Sequence, residues 1–353
     1  MQSFKRLMGG LGAAAIALAL TAGTAAAGQF DGVTVRIGTF GGKWRDIVEA
    51  NVAKAFEAEG GKIEFVLGQP ANNMAKLIAA RGQEPPFDVL ETMDNLLPQL
   101  AAGGFLDTID LTKIPNIAKV DKAFYDDKKV MVWITQEGIV YNKAKFAEAG
   151  IPAPTRYADL ANPKLKGKVS LPDISAGGAM PAIVGMSHEA GGGEADIGPG
   201  LELVKTIGPA SFWSSSSNLQ TQLASGDVWA AAAQAGNVQR LKGQVDLAIA
   251  FPPVAGKSGV LKQGYLVKIK GAKNAAAAEW IINAFLSDQM QVATLTAGGQ
   301  VPVSGPALAK LRENPDYGFL RLSPDQLAGM YSIDFGKVNE AAYVQKWNRS
   351  ITR

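Results

Sequence analysis

Residues 33–67 read VTVRIGTFGGKWRDIVEANVAKAFEAEGGKIEFVL, and the periodicity of this stretch changes three times. Val33, Val35 and Ile37 alternate with Thr34 and Arg36, the period-two signature of a strand, and residues 38–44 break that alternation. Ile47, Val48, Val52, Ala55 and Phe56 then recur at helical spacing, and 63–67 returns to strand character. After Gly68-Gln69-Pro70 comes a second helix with Met74, Leu77 and Ile78 on one face, and Pro85-Pro86 leads into a third strand at 87–90. Strands alternating with helices at this rhythm predict an α/β domain with a largely parallel sheet.

The rest of the chain extends the pattern. Residues 130–141 form a β-prone run interrupted by Gly138, long enough to leave one sheet and enter another. Strands are expected at 169–171, 228–233, 245–250 and 265–269, with helices at 218–224, 275–286 and 289–295 and an amphipathic tail at 338–347. Gly191-Gly192-Gly193 reads as a surface loop, Lys164 to Lys168 as a solvated turn, and His188 as a surface or boundary histidine.

Composition narrows the chemistry. The chain has 353 residues, one His and no Cys, which excludes disulfides, thiolate metal sites, Cys nucleophiles and a lipid anchor on an N-terminal Cys. A Ser-His-Asp triad would have to use His188 as its base, and no Gly-x-Ser-x-Gly elbow exists to hold its serine. Residues 1–6 are basic, 7–22 apolar, and 24–27 end in a small-x-small pattern, so 1–27 reads as a signal peptide cleaved near Ala27 for the general secretory route. Without Lys5 and Arg6 the chain carries 33 basic against 32 acidic groups, which gives no electrostatic case for nucleic acid.

Several pieces, in order and spacing, resemble the extracellular solute-binding proteins of ABC importers, in the branch that contains the spermidine/putrescine-binding proteins. They are GTFGGKW (38–44), PPFDV (85–89), GFLD (104–107) with DL and IPN (110–116), GIVYN (138–142), DL (159–160), PKLKGKV (163–169), LPD (171–173), GDVW (226–229), GAKN (271–274) and EWIIN (279–283). The resemblance implies a two-lobe periplasmic binding protein fold, type II-like, with the ligand cleft between α/β lobes and hinge crossings at 133–138 and near 251–256 and 299–304. Lobe 1 is then expected at 28–134 and 252–300, and lobe 2 at 135–251 and 301–353. The implied function is capture of a small organic solute in the periplasm for an inner-membrane ABC permease with its cytoplasmic ATPase. The protein would be a monomer and not an enzyme, with no cofactor and no metal. An amine or polyamine-like solute is the first expectation, and an organic anion such as an aminophosphonate the second. Report to a membrane sensor and, from another class, a secreted hydrolase are further readings.

Ligands of open α/β sheets sit beyond the carboxyl ends of strands, so the loops there supply the candidates. Thr39, Phe40 and Trp44 follow the first strand, with Thr39 as a donor and the aromatics as walls. Glu91 follows the third and would suit an ammonium group, since a buried carboxylate needs a partner. At the crossing, alternation lets either Gln136 or the set Trp133, Thr135 and Glu137 face the ligand, and Gln136 is favoured. Asp173 stands where polyamine-binding members carry an acidic residue, or else caps the following helix, which Ser175 begins. Trp213, with Ser214 to Ser217, resembles a family segment that approaches the ligand from the second lobe, or else belongs to a plain solvated serine loop. Gln234 falls where the polyamine binders supply an aromatic wall, a departure from their pattern, and Tyr265 is a wall from the first lobe or a core tyrosine.

Overall fold

The computed structural model describes residues 28–351, so the expected signal peptide at 1–27 lies outside the described residues. The strands are β1 (Thr34–Thr39), β2 (Lys62–Leu67), β3 (Val89–Met93), β4 (Val130–Asn142), β5 (Val169–Pro172), β6 (Ser211–Trp213), β7 (Ala230–Gln234), β8 (Leu247–Ala250), β9 (Pro253–Val254), β10 (Lys257–Ser258), β11 (Val260–Lys268), β12 (Val301–Pro302) and β13 (Tyr331–Ser332). One continuous sheet runs in the order β2-β1-β3-β11-β4-β7-β5-β6, with β8 and β12 also on β4 and β13 on β11. Its two ends are parallel, as the alternation of strands and helices predicts, and antiparallel β11 and β4 join them.

The two ends are separate lobes with their own cores. Val35, Ile37 and Val89 face one apolar cluster and Leu90 and Val267 the opposite one, so the first-lobe sheet is covered on both faces. In the second lobe Ala230 and Ala232 of β7 face one cluster and Ala231 and Ala233 the other, the strict alternation of a strand buried on both sides. The first helix, Lys43–Val48, passes through a π-helical stretch, Glu49–Ala53, before Lys54–Ala58. The extra residue in that turn rotates the apolar face, so Ala53 is buried and Ala55 is exposed.

β4 is the first crossing. Its first part pairs with β11, from Val130 opposite Leu266 to Glu137 opposite Val260, and its end pairs with β7, from Glu137 opposite Gln234 to Tyr141 opposite Ala230. Gly138 stands where the strand must accept β8, since a Cβ there would lie 2.2 Å from the Ala250 carbonyl oxygen.

The later crossings follow the expectation only in part. Phe251 packs against the first core and Val254 in the second, so the chain passes between the lobes within 251–254, and Ala255 and Gly256, both with positive φ, close a two-residue hairpin between β9 and β10. The chain passes between them again at the start of β11, where Val260 belongs to the second core and Leu261 to the first. Residues 301–330 do not join the second lobe either. β12 pairs with Ile134 and Trp133 of β4, and Val301, Leu308, Leu311, Leu320 and Met330 all enter the first core. From β13 onward the chain packs in the second core, through Tyr331 and then Tyr343, Trp347 and Ile351.

Candidate functional site

A cleft of about 250 Å³ lies between the lobes over the crossing strands. Phe40 to Trp44, Met93 and Trp133 form its first-lobe side; Gly177, Gly178, Trp213 to Ser217 and Gln234 form its second-lobe side; and Thr135, Glu137, Lys262 and Arg240 are at its centre and base. These residues come from the carboxyl ends of β1, β3, β5, β6 and β7, the position that strand–helix topology prescribes for a ligand.

Of the ten candidates, four line this cleft: Phe40, Trp44, Trp213 and Gln234. The rings of Phe40 and Trp44 lie 6.2 and 6.4 Å from that of Trp133, so the first-lobe wall is a cluster of three aromatics. Trp213 faces them from the other lobe, its indole N–H fixed on the Ala232 carbonyl oxygen at 3.2 Å. Gln234 donates to the Ser216 hydroxyl at 3.0 Å.

The other six lie outside the lining. Thr39 is buried and donates its hydroxyl to Glu91. Glu91, 1 % exposed, also accepts the indole N–H groups of Trp44 at 2.9 Å and Trp133 at 2.6 Å. Burial pushes its pKa up from the ordinary carboxylate value against the pull of these three donors. Gln136 points to the opposite side of β4 from Thr135 and Glu137, where it holds the Arg321 backbone in both directions: its amide N–H donates to the carbonyl at 2.6 Å and its carbonyl accepts the N–H at 2.9 Å. Alternation along the strand therefore favours the other set, and Thr135 and Glu137 face the cleft with Trp133. Asp173 accepts the Ser175 N–H at 3.0 Å and hydroxyl at 2.7 Å, a local turn with Ser175 exposed. Tyr265 is a core tyrosine whose hydroxyl donates to Gln263 at 2.7 Å.

Three cations, Lys43, Lys262 and Arg240, and one carboxylate, Glu137, set the charge of the cleft. Glu137 accepts the Thr135 hydroxyl at 2.7 Å and has the Lys262 ammonium 3.6 Å away; Lys262 also donates to the Gly177 carbonyl oxygen at 3.1 Å, spanning from the crossing strand to the second lobe. Arg240 follows β7 by about two turns. Its Nε donates to the Gly298 carbonyl oxygen at 2.8 Å, while Nη1 is buried with no hydrogen-bond partner. Burial pulls this guanidinium down to about 10, with Glu137 opposing. Two helix N-termini also open on the cleft, that of Ala179–Glu189 behind Gly178 and that of Ser216–Ser225 behind its cap Ser215. Arg240 and Lys262 were not among the sequence candidates. The strand-end rule reaches Arg240 if the loop after β7 is followed one turn past Asn237.

Among the described residues no group of His, Cys, Asp or Glu side chains could hold a metal ion, and no helix is long and apolar enough to cross a membrane.

Comparison with solved structures shows the same fold across nearly the whole chain. An ABC transporter protein from Rhodopseudomonas palustris CGA009 aligns with a TM-score of 0.73 at 17 % identity, covering 90 % of this chain and 99 % of the other. A protein from Listeria monocytogenes assigned as a spermidine/putrescine ABC transporter aligns at 0.71 and 18 %, covering 89 % and 97 %. The binding protein AgtB from A. tumefaciens R10, solved with agropinic acid, aligns at 0.70 and 19 %, covering 91 % and 99 %. No curated protein matches the sequence. The family model for bacterial extracellular solute-binding proteins matches residues 51–316, more than half of the chain. The chain therefore belongs to the bacterial extracellular solute-binding proteins, a family of binding proteins that work in ABC transporters.

Proposed function

We infer that this protein, like other solute-binding proteins of ABC importers, binds a small solute outside the cytoplasm and works with a membrane permease and an ATPase. We propose that this protein is a monomeric periplasmic member of such a system, freed from its signal peptide near Ala27, and that its solute is a small organic anion. The lobes would close on it about β4 residues 135–138, the start of β11 and the segment that follows β13.

The observation that carries the anion reading is Arg240. A buried guanidinium nitrogen without a partner is an expensive arrangement, and a carboxylate or phosphonate docked on it offsets that cost. Lys43, Arg240 and Lys262 outweigh Glu137 by two positive charges, and the helix N-termini add to the same sign. The two acids expected to read an amine are occupied elsewhere: Glu91 is enclosed behind the aromatic wall, and Asp173 holds the turn at Ser175 outside the cleft. Where polyamine binders have an aromatic wall this chain has Gln234, which points the same way.

The test is a thermal-shift screen of protein unfolded and refolded to strip copurified solute, against butyrate, 4-aminobutyrate, 2-aminoethylphosphonate, putrescine and spermidine. A ligand at 100 times its Kd stabilises by about 2.7 kcal/mol. The reading expects stabilisation by members that carry a carboxylate or phosphonate; stabilisation by putrescine or spermidine alone overturns it.

A further inference from the structure

We propose that Glu91 is the positioning residue of the cleft's aromatic wall: its carboxyl group gathers the indole N–H groups of Trp44 and Trp133 onto one buried point and so sets the ring faces that a solute meets. The wall's role in recognition rests on the cleft being the solute site; the positioning itself does not.

The arrangement follows from the sheet. Gly38 and Leu90 are register partners on β1 and β3, so the next residues, Thr39 and Glu91, lie side by side at the strand ends. Trp133 reaches the same point from β4, and Trp44 from the helix that follows β1. The two carboxyl oxygens divide the donors: Oε1 takes Trp133, and Oε2 takes Trp44 and Thr39. The rings are held edge to face at 77°, and both line the cleft while Glu91 does not. Gly264 completes the seat, because a Cβ there would stand 2.0 Å from the Trp133 ring. A carboxyl group suits this task better than its amide. Gln has a single carbonyl oxygen, and its NH2 would oppose one indole N–H, leaving that tryptophan untethered.

Trp44 and Trp133 are the only tryptophan–tryptophan ring pair among the described residues, so their exciton-coupled circular dichroism reports on this geometry with or without ligand. Trp44→Phe identifies the couplet by removing it. Glu91→Gln is expected to reduce the couplet at least twofold and Glu91→Leu to abolish it, with the far-ultraviolet helix signal retained in Glu91→Gln. In calorimetry with 2-aminoethylphosphonate or 4-aminobutyrate as the probe, Glu91→Gln is expected to weaken binding about tenfold. A couplet lost in Trp44→Phe but unchanged in Glu91→Gln overturns the positioning role. A couplet lost in Glu91→Gln with the probe's affinity unchanged overturns the link from wall to recognition. Failure of the wild type to bind either probe counts against the anion site alone, because the couplet still decides the role of Glu91.

Discussion

Arg240→Met removes the guanidinium while keeping most of the side chain's length. In a loaded cleft the lost partner of a buried, hydrogen-bonded anion costs roughly 2–5 kcal/mol, and at 1.4 kcal/mol per factor of ten this weakens Kd by about 30-fold to 4,000-fold. The protein without solute should respond far less. Wild-type Arg240 has Nη1 buried and unpaired, an arrangement worth about 1–3 kcal/mol of penalty, against which the variant loses the charge-assisted bond from Nε to Gly298, about 1.5–3 kcal/mol. The unliganded variant is therefore expected to lie within about 2 kcal/mol of the wild type. Thermal melts with and without a probe anion read both effects. At a concentration giving the wild type about 2.7 kcal/mol of stabilisation, a hundredfold weaker Kd leaves only about 0.4 kcal/mol. Arg240→Lys keeps a charge but not the planar fork, and should fall between the two. Wild-type affinity in Arg240→Met, or an empty variant destabilised by more than about 2 kcal/mol, would refute the reasoning, the latter by showing that Arg240 is a structural strut.

Asp94 accepts the Gln263 N–H of β11 at 3.0 Å, and burial raises its pKa from 3.8 to about 7. Between those values the folded state binds more protons than the unfolded one, so stability must fall as pH rises from about 4 to 7, by at most about 4 kcal/mol because Asp94 keeps some exposure; urea melts should show Asp94→Asn flattening this slope. Gly264→Ala forces a methyl group into the Trp133 ring, an overpacking cost of about 1–3 kcal/mol, and should weaken probe binding as well as lower Tm. Lys242 and Asp316 form a 2.6 Å pair, both about half exposed, between the segment after Arg240 and the 301–330 segment. Lys242→Ala should change probe affinity by no more than about fivefold, and 0.5 M salt should erase the difference in calorimetry.

The architecture was largely legible because periodicity reports burial. The strand–helix rhythm of 33–67 is the observed β1, helix and β2, and the β-prone run at 130–141 is the strand that joins the two lobes. Where the last crossing falls was not legible. The segment 301–330 has apolar residues that either core would accept, and only the pairing of Val301 and Pro302 with β4 assigns them to the first.

The site was legible by position and less so by role. The strand-end rule pointed to Phe40, Trp44, Trp213 and Gln234, which line the cleft, but alternation along β4 left two choices, and the direction of Gln136 is decided by the Arg321 backbone, 185 residues away. Glu91 shows the limit of reasoning from charge. A buried carboxyl group does need compensation, but here two indole N–H groups and a hydroxyl supply it, all distant in sequence, and no ligand ammonium is required.

The most direct measurement is a crystal structure of the refolded protein with whichever anion of the panel stabilises it most. The account predicts that the anionic group lies within hydrogen-bond reach of the Arg240 guanidinium, with the rest of the solute between the Trp44–Trp133 wall and Trp213. A solute bound outside this cleft, or one within it whose anionic group turns away from Arg240, would contradict it.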